Sequence, residues 1–403
     1  MKVLVLNCGS SSLKCQIIEV DGAAASGSAD HKLTRGLVER IGENASCTLQ
    51  ASDAEALRES APIANHEQAV RRVLQWFETQ AELRGFQAVG HRVVHGGDRF
   101  AAPALITEEV MAALEELTSL APLHNPPAVS GIRAARAALG NSFPMVAVFD
   151  TSFHQTLPPY ASTYAIPQEL AQRYRIRRYG FHGLAHQYAM LRYSEITRTS
   201  LAKVKIVVLH LGNGCSASAI QGGKSVDTSM GFTPLEGLVM GTRAGDLDPA
   251  IVAYLVEKEG IAVTEVETLL NKRSGLLGVS GLSNDMRKLV EQYDENPRAK
   301  LAVDVFCYRA RKYVGAYLAA LGGADAVVFS GGIGENSPLV REKICAGMAW
   351  HGLIIDGTKN ASMVGREGLI SSQEATVHAY VIPSDEEAII ARETVNLVAE
   401  KKR

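Results

Sequence analysis

Val3-Leu4-Val5-Leu6-Asn7-Cys8-Gly9-Ser10-Ser11-Ser12-Leu13-Lys14 is an apolar, strand-like run that breaks abruptly into a turn. The turn gathers a glycine, three hydroxyls and a lysine. Backbone N–H groups, hydroxyls and an ammonium are the donors a polyphosphate needs. Asn7 adds a neutral oxygen suited to a divalent cation or its water. The same pattern recurs about two hundred residues on, where Ile206-Val207-Val208-Leu209 lies over Val3-Leu4-Val5-Leu6. Without a gap, Gly9 then falls on Gly212, Ser10 on Asn213 and Ile17 on Ile220. Leu209-His210-Leu211-Gly212-Asn213-Gly214 therefore reads as a second strand-to-phosphate turn. A further pair of apolar strands, Met145 to Asp150 and Ala326 to Ser330, suggests the same duplication. Repeats at this spacing predict two related domains, since solenoid periods are far shorter.

A chain of 403 residues is long enough for two such domains, each with its own core. Apolar residues make up 46% and charged ones 21%, the balance of a globular protein. A net charge of −2 provides no global field for nucleic acid or anionic lipid. The one basic-aromatic run, Arg173-Tyr174-Arg175-Ile176-Arg177-Arg178-Tyr179, is too short to change that and reads as a local anion site or a solvated face. Six cysteines without a C-x-x-C pattern fit reduced thiols and a cytoplasmic location. The apolar stretch before Asn7 is too short for a signal peptide, and no apolar run reaches the ~18 residues of a membrane span.

Helix punctuation alternates with the strands and predicts an α/β class. Thr107 opens a helix running to about Leu120, and Asn125-Pro126 opens the next with Asn as cap. Asp248-Pro249 opens one that closes near Gly260, Ser337-Pro338 opens another, and Asp385 caps the last, from Glu386 to about Glu400. Pro158-Pro159 marks a domain boundary just beyond Asp150.

Two glycine-rich stretches fail as nucleotide motifs. Gly223-Lys224-Ser225 has Ser218 where a Walker A loop needs glycine, and no helix pattern follows. The glycines of Gly275 to Gly281 lack a preceding strand. His91-Arg92-Val93-Val94-His95 is more telling. If it is extended, Arg92 and Val94 share one face, a guanidinium beside a branched apolar group. Such a face suits a short carboxylic acid. His91/His95 and His182/His186 have metal-like spacing but lack the Glu of H-E-x-x-H, which argues against catalytic zinc.

Taken together, these motifs resemble the acetate kinase family, of the acetate and sugar kinase, Hsp70 and actin superfamily. The resemblance rests on Asn7-x-Gly9-Ser10-Ser11-Ser12-x-Lys14, Gly180-Phe181-His182-Gly183, His210-Leu211-Gly212-Asn213-Gly214, Gly241-Thr242-Arg243, Asp285-Met286-Arg287, Gly332-Ile333-Gly334-Glu335-Asn336 and Glu386-Glu387. It implies two duplicated RNase H-like (actin-like ATPase) domains with an interdomain nucleotide cleft. Residues 1–150 with 384–403 would form the N-terminal domain. Residues 151–383 would form the C-terminal domain, which binds nucleotide and dimerises.

The resemblance also implies roles. Asn7 and Glu386 would place Mg²⁺, for which Mn²⁺ can substitute. Ser12 and Lys14 would reach the nucleotide phosphates. His210, Leu211, Gly212, Asn213, Gly214, Asp285, Met286, Arg287, Gly332, Ile333, Gly334, Glu335 and Asn336 would hold ATP. Arg92 and Arg243 would hold the acetate carboxylate and the migrating phosphoryl group, with His182 as a further donor. Asp150 would be the acidic catalytic residue, orienting metal-bound water or Arg243. Val94, Leu123, Phe181 and Pro234 are the apolar candidates for the methyl pocket. Asp385 departs from the Asn expected before the paired Glu; it adds charge there or serves only as helix cap. The implied reaction converts ATP and acetate reversibly into ADP and acetyl phosphate, in a cytoplasmic homodimer with no nucleic-acid or membrane partner. A propionate or other short-chain fatty acid kinase is the first alternative, and a non-kinase actin- or Hsp70-like ATPase the second. Removing either arginine is expected to cost turnover and not fold.

Overall fold

A computed structural model describes residues 1–9, 11–21, 30–51, 54–80, 85–122 and 125–401. They divide into two compact units, Met1–Phe153 with Asp385–Arg403, and His154–Ser384.

The opening run forms β1 (Lys2–Cys8), whose residues Val3 to Cys8 are all buried. It pairs antiparallel with β2 (Ser12–Glu19), so the Gly9 turn is a hairpin turn. The sheet continues through β3 (His31–Lys32), β4 (Thr34–Glu39), β5 (Asn44–Ala51), β6 (Leu57–Pro62), β7 (Ala88–Val93), β8 (Ala104–Leu105) and β9 (Met145–Phe149). The order across it is β6-β5-β4-β2-β1-β7-β9-β8, with β3 paired to β2. The second unit holds β10 (Lys205–Leu211), β11 (Cys215–Gln221), β12 (Lys224–Thr228), β13 (Ala326–Ser330), β14 (Gly368–Leu369) and β15 (His378–Val381). Their order is β12-β11-β10-β13-β15-β14.

These six strands repeat the ladder β4-β2-β1-β7-β9-β8, strand for strand and sense for sense. Each begins with two antiparallel steps, continues through two parallel ones and ends on an antiparallel edge. Central parallel strands are covered on both faces, so they read as unbroken apolar runs. That uniformity misleads the pairing of Met145–Asp150 with Ala326–Ser330. By position in the ladder, β13 corresponds to β7, and β9 corresponds to β15.

The hairpin repeat holds for the first strands and slips in the second. Leu4 faces Ile17, whereas its counterpart Val207 faces Ala219, and Ile220 faces Ile206. The second turn is one residue shorter, and a one-residue slip sends every following side chain to the other face.

Most helix starts follow the expected chemistry. Thr107 accepts from Val110 N, and the helix Glu108–Glu116 then tightens into a 3₁₀ turn at Leu117–Ser119. Asp248 Oδ1 accepts from Ala250 N at the start of Ala250–Glu259, and Gly260 closes it in the left-handed conformation. Asn125 differs. The helix Asn125–Leu139 begins at this residue, and its amide bonds the backbone N and O of His95, both at 3.0 Å. That pins the chain just beyond β7. The last helix, Glu386–Glu400, packs on β1, β7 and β9. Asp385 caps it by accepting from Ala388 N, and its other oxygen lies 2.5 Å from Lys32 Nζ. Its extra charge is therefore locally paired. The basic run also finds a local use. Arg178 donates to the carbonyls of Thr228, Ser229 and Met230 and pairs with Glu236 at 2.6 Å. No helix among the described residues is long and apolar enough to cross a membrane.

Candidate active site

In the first unit, strand ends bring four of the expected residues together. Asn7 and Arg92 lie one residue from the ends of β1 and β7, Asp150 follows β9, and Glu386 opens the last helix. Arg92 grips both oxygens of Asp150, through Nε at 2.9 Å and Nη2 at 2.5 Å. Its Nη1 donates to Asn7 Oδ1 at 3.2 Å, and Glu386 Oε2 lies 3.6 Å from Nε. Burial pushes the Asp150 carboxyl up to about 6 against the pull of Arg92, with Glu386 adding to the rise. At neutral pH it stays ionised. The sequence expectation gives Asp150 to metal-bound water or to Arg243, but here both its oxygens belong to Arg92. Three of the five guanidinium N–H groups are used this way, which leaves two for an anion.

The oxygens of Asn7, Asp150 and Glu386 thus surround one positive centre. No cluster of three or more His, Cys, Asp or Glu side chains suited to a metal occurs among the described residues. A sparse, hard-oxygen set of this kind fits Mg²⁺, which keeps several waters and takes one or two carboxylates. Lys14 is exposed on β2, directly across the ladder from Asn7. Ser12 begins the same strand, and its carbonyl accepts from Gly9 N at 2.8 Å. His66 Nε2 lies 2.7 Å from the Gly9 carbonyl and steadies the turn. Val94 is buried but sits beyond the end of β7, so strand periodicity does not reach it. Leu123 lies outside the described residues.

In the second unit, the β10–β11 turn is the focus. A Cβ placed on Gly214 would lie 3.4 Å from His182 Nε2 and 3.5 Å from Arg243 Nη1. These two donors, 61 positions apart, converge on one glycine. His182 is held in the left-handed conformation (φ 57°), which costs a non-glycine residue energy and aims its ring. Two residues earlier, Gly180 sits where only glycine fits. Its φ is +75°, and a Cβ there would come within 2.6 Å of the His154 ring. Arg243 Nη1 donates to the Pro234 carbonyl at 3.1 Å. Burial lowers the Arg243 pKa, with Cys215 opposing, yet a guanidinium stays charged at neutral pH. Phe181 is fully buried and its carbonyl lies 3.1 Å from His154 Nε2.

Next to this pair, Gly212 and Asn213 open onto a cavity of about 950 Å³. Asp285, Met286, Arg287, Gly332, Ile333 and Asn336 also line it. The volume is at the upper end for small-molecule sites. Gly334 packs inward behind Leu211, and Glu335 accepts from Ser384 N at 2.9 Å. Arg287 folds back onto Asp285 through two hydrogen bonds, at 3.1 and 2.7 Å. Sequence reading missed Asn284, Val290, Glu291, Ser337, Pro338 and Leu339 in the lining. Adjacency to Asp285, one helical turn from Met286, and the helix start after Asn336 were the available signals. It also missed Arg341, which is wholly buried with no carboxylate partner among the described residues. Its five donors meet Asn360 Oδ1, Asn360 O, Gly334 O, Glu335 O and Met363 O. A cation thereby clamps the last carbonyls of the short helix Gly331–Asn336, the segment carrying the Gly332-Ile333-Gly334-Glu335-Asn336 motif.

Behind His182 stands a group of histidines. His182 Nδ1 lies 3.0 Å from Ser216 Oγ, and His186 Nε2 lies 2.7 Å from the same oxygen. The spacing of these histidines therefore serves a serine. The His210 ring lies 4.7 Å from that of His182, and His154 lies 5.7 Å from His186. Burial lowers His154 to about 4 and His91, in the first unit, to about 3. Burial, with His154 and His210 adding to it, lowers His186 well below the ordinary value.

A pH dependence of stability follows. Unfolded histidine takes a proton near pH 6.5, and these three in the fold do not. Their stabilisation is complete above that pH and is lost as pH falls toward the folded values. By pH 5 the loss is on the order of 2 kcal/mol per histidine. Asp150 opposes this, because its raised pKa favours the fold as pH drops below about 6. Denaturant melts at pH 7.5 and 5.0 should show a net loss at pH 5.0. Equal midpoints would mean that these histidines are not held neutral.

The chain matches the acetokinase family over residues 2–392. It is 52% identical to the acetate kinase of Solibacter usitatus, with 99% of this chain and 98% of that protein covered. The crystal structure of Porphyromonas gingivalis acetate kinase is similar, with 41% identity and a TM-score of 0.91, covering 98% of this chain and 99% of that one. A propionate kinase from Francisella tularensis is similar too, with 40% identity and a TM-score of 0.90 at the same coverage.

Proposed function

The chain belongs to the acetokinase family, and from this we infer that it is a phosphotransferase with a carboxyl group as acceptor. It moves the γ-phosphoryl group of ATP reversibly onto acetate, giving acetyl phosphate and ADP. The observation that carries this reading is the convergence of His182 and Arg243 on Gly214, beside the Gly212–Asn213 mouth of a nucleotide-sized cavity.

Acetate is ionised at pH 7 and needs no general base. The difficulty is bringing an anion to an anionic phosphate. On our reading, Arg243 and His182 stabilise the equatorial oxygens of the transferring group in a direct in-line displacement. Arg92 holds the acetate carboxylate with its two remaining donors, while Asp150 fixes the guanidinium plane. The cavity takes ATP, and Ser12 and Lys14 meet its phosphates. Asn7 and Glu386 would hold Mg²⁺, which when bound neutralises phosphate charge. A cytoplasmic homodimer is also proposed. The helix Ala250–Glu259 leaves Ile251 and Tyr254 exposed, which suits a second copy.

Formation of acyl phosphate from ATP and acetate, trapped with hydroxylamine, tests the reaction. An ATPase rate that ignores acetate would overturn it. Val94 is proposed to bound the methyl pocket, because it is a buried apolar side chain two residues beyond Arg92. In Val94→Ala an added methylene gains about 0.8 kcal/mol, roughly fourfold. kcat/KM for propionate should therefore rise relative to acetate. An unchanged ratio would remove Val94 from the pocket, and a wild type preferring propionate would displace acetate as substrate.

A further inference from the structure

Ser216 lies in β11, fully buried, and its single hydroxyl is shared by two imidazoles. It has one proton to give, and among the described residues these two rings are the only acceptors its hydroxyl meets, so it donates to one and accepts from the other. If His186 donates to it, Ser216 donates to His182. If His186 accepts from it, His182 must be the donor. The two directions leave opposite groups on the far side of His182, the side that meets Gly214. The first leaves an N–H there, and the second leaves a bare lone pair.

The surroundings of His186 choose between them. Its Nδ1 is buried and has no hydrogen-bond partner among the described residues. Buried, orphaned N–H donors are rarer in folded proteins than unfilled acceptors. Nδ1 is therefore the bare nitrogen, and Nε2 carries the proton. Burial among other histidines keeps this ring neutral, so it has only that one proton. His154, edge-on to it, shows the same arrangement. Its Nε2 faces the Phe181 carbonyl, which can only accept, so its Nδ1 accepts from Ser225, 2.8 Å away.

We propose that His186 Nε2–H, Ser216 Oγ–H and His182 Nδ1 form a one-way hydrogen-bond relay that holds His182 as its Nε2–H tautomer. Ser216 and His186 are then positioning residues. They present an N–H beside Arg243 at the place where phosphoryl oxygens would gain charge. The catalytic meaning rests on the function proposed above; the direction of the relay does not.

Nitrogen-15 spectra of the histidine rings test the direction in the wild-type protein, with His182→Gln and His186→Gln assigning the signals. Both rings should carry the proton on Nε2, with Nδ1 bare. A proton on Nδ1 of either ring overturns the relay. Kinetics test the positioning. Ser216→Ala is nearly isosteric and should lower kcat roughly tenfold, the worth of one hydrogen bond, with KM for acetate little changed. His186→Gln keeps an N–H donor and should retain more kcat than His186→Leu. Equal losses in those two variants, or an unaltered kcat in Ser216→Ala, would overturn the positioning role. Should the protein fail to phosphorylate acetate, the proposed reaction falls, and the spectra alone still decide the relay.

Discussion

Replacing Arg243 by leucine should lower kcat by about 10³–10⁵ and leave the fold intact. The rate estimate is that for one guanidinium facing a transferring phosphoryl group. The stability estimate comes from what Arg243 touches. Its Nη1 meets the Pro234 carbonyl at 3.1 Å and the Met240 sulfur at 3.7 Å, and no carboxylate pairs with it among the described residues. Burial alone opposes its charge. A buried cation without a counter-ion contributes little to folding, because its desolvation is poorly repaid. Leucine should therefore hold the native melting temperature, while Arg243→Lys, which keeps charge but loses the fork, should fall between. Thermal melts and steady-state kinetics on the same preparations check both halves. Activity within tenfold of wild type would remove Arg243 from the phosphoryl clamp.

The parts legible in the sequence were those set by local chemistry. The β1 hairpin, its repeat at β10 and the cap of the last helix all follow from period, turn residues and capping. What stayed hidden depended on distance. Met145–Phe149 and Ala326–Ser330 look alike because both are buried on two faces, yet they occupy different rungs of the ladder. Asn125 reads as a cap and works as a tie to His95, 30 residues earlier. Ser216 has no local signal at all, since its partners lie 34 and 30 positions upstream. Arg341 looks like an ordinary helix arginine until its five carbonyl and amide acceptors are assembled from residues 334 to 363. Arg92 is the instructive middle case. Its place on an extended segment was visible, but its counter-ion, 58 positions away, was not.

That counter-ion changes what Arg92→Leu should do. Turnover should fall by orders of magnitude, as for Arg243, but the fold should suffer too. Asp150 is 1% exposed and both its oxygens depend on Arg92. Removing one partner of a buried ion pair leaves the other charge stranded, at a cost of about 3–5 kcal/mol. Replacing both with apolar residues is often neutral, so Arg92→Leu with Asp150→Leu should recover much of the stability and none of the turnover. A second signature follows from the proton. Without Arg92, the folded pKa of Asp150 rises beyond about 6, because burial is the largest cause and its main opponent is gone. A raised folded pKa stabilises at low pH and loses that stabilisation as pH climbs through it. The single variant should therefore narrow its stability deficit on going from pH 7.5 to pH 6, and the double variant should not. Denaturant melts of wild type, single and double variants at the two pH values decide the matter. A single variant as stable as wild type at pH 7.5 would mean that Asp150 does not need Arg92 to stay buried.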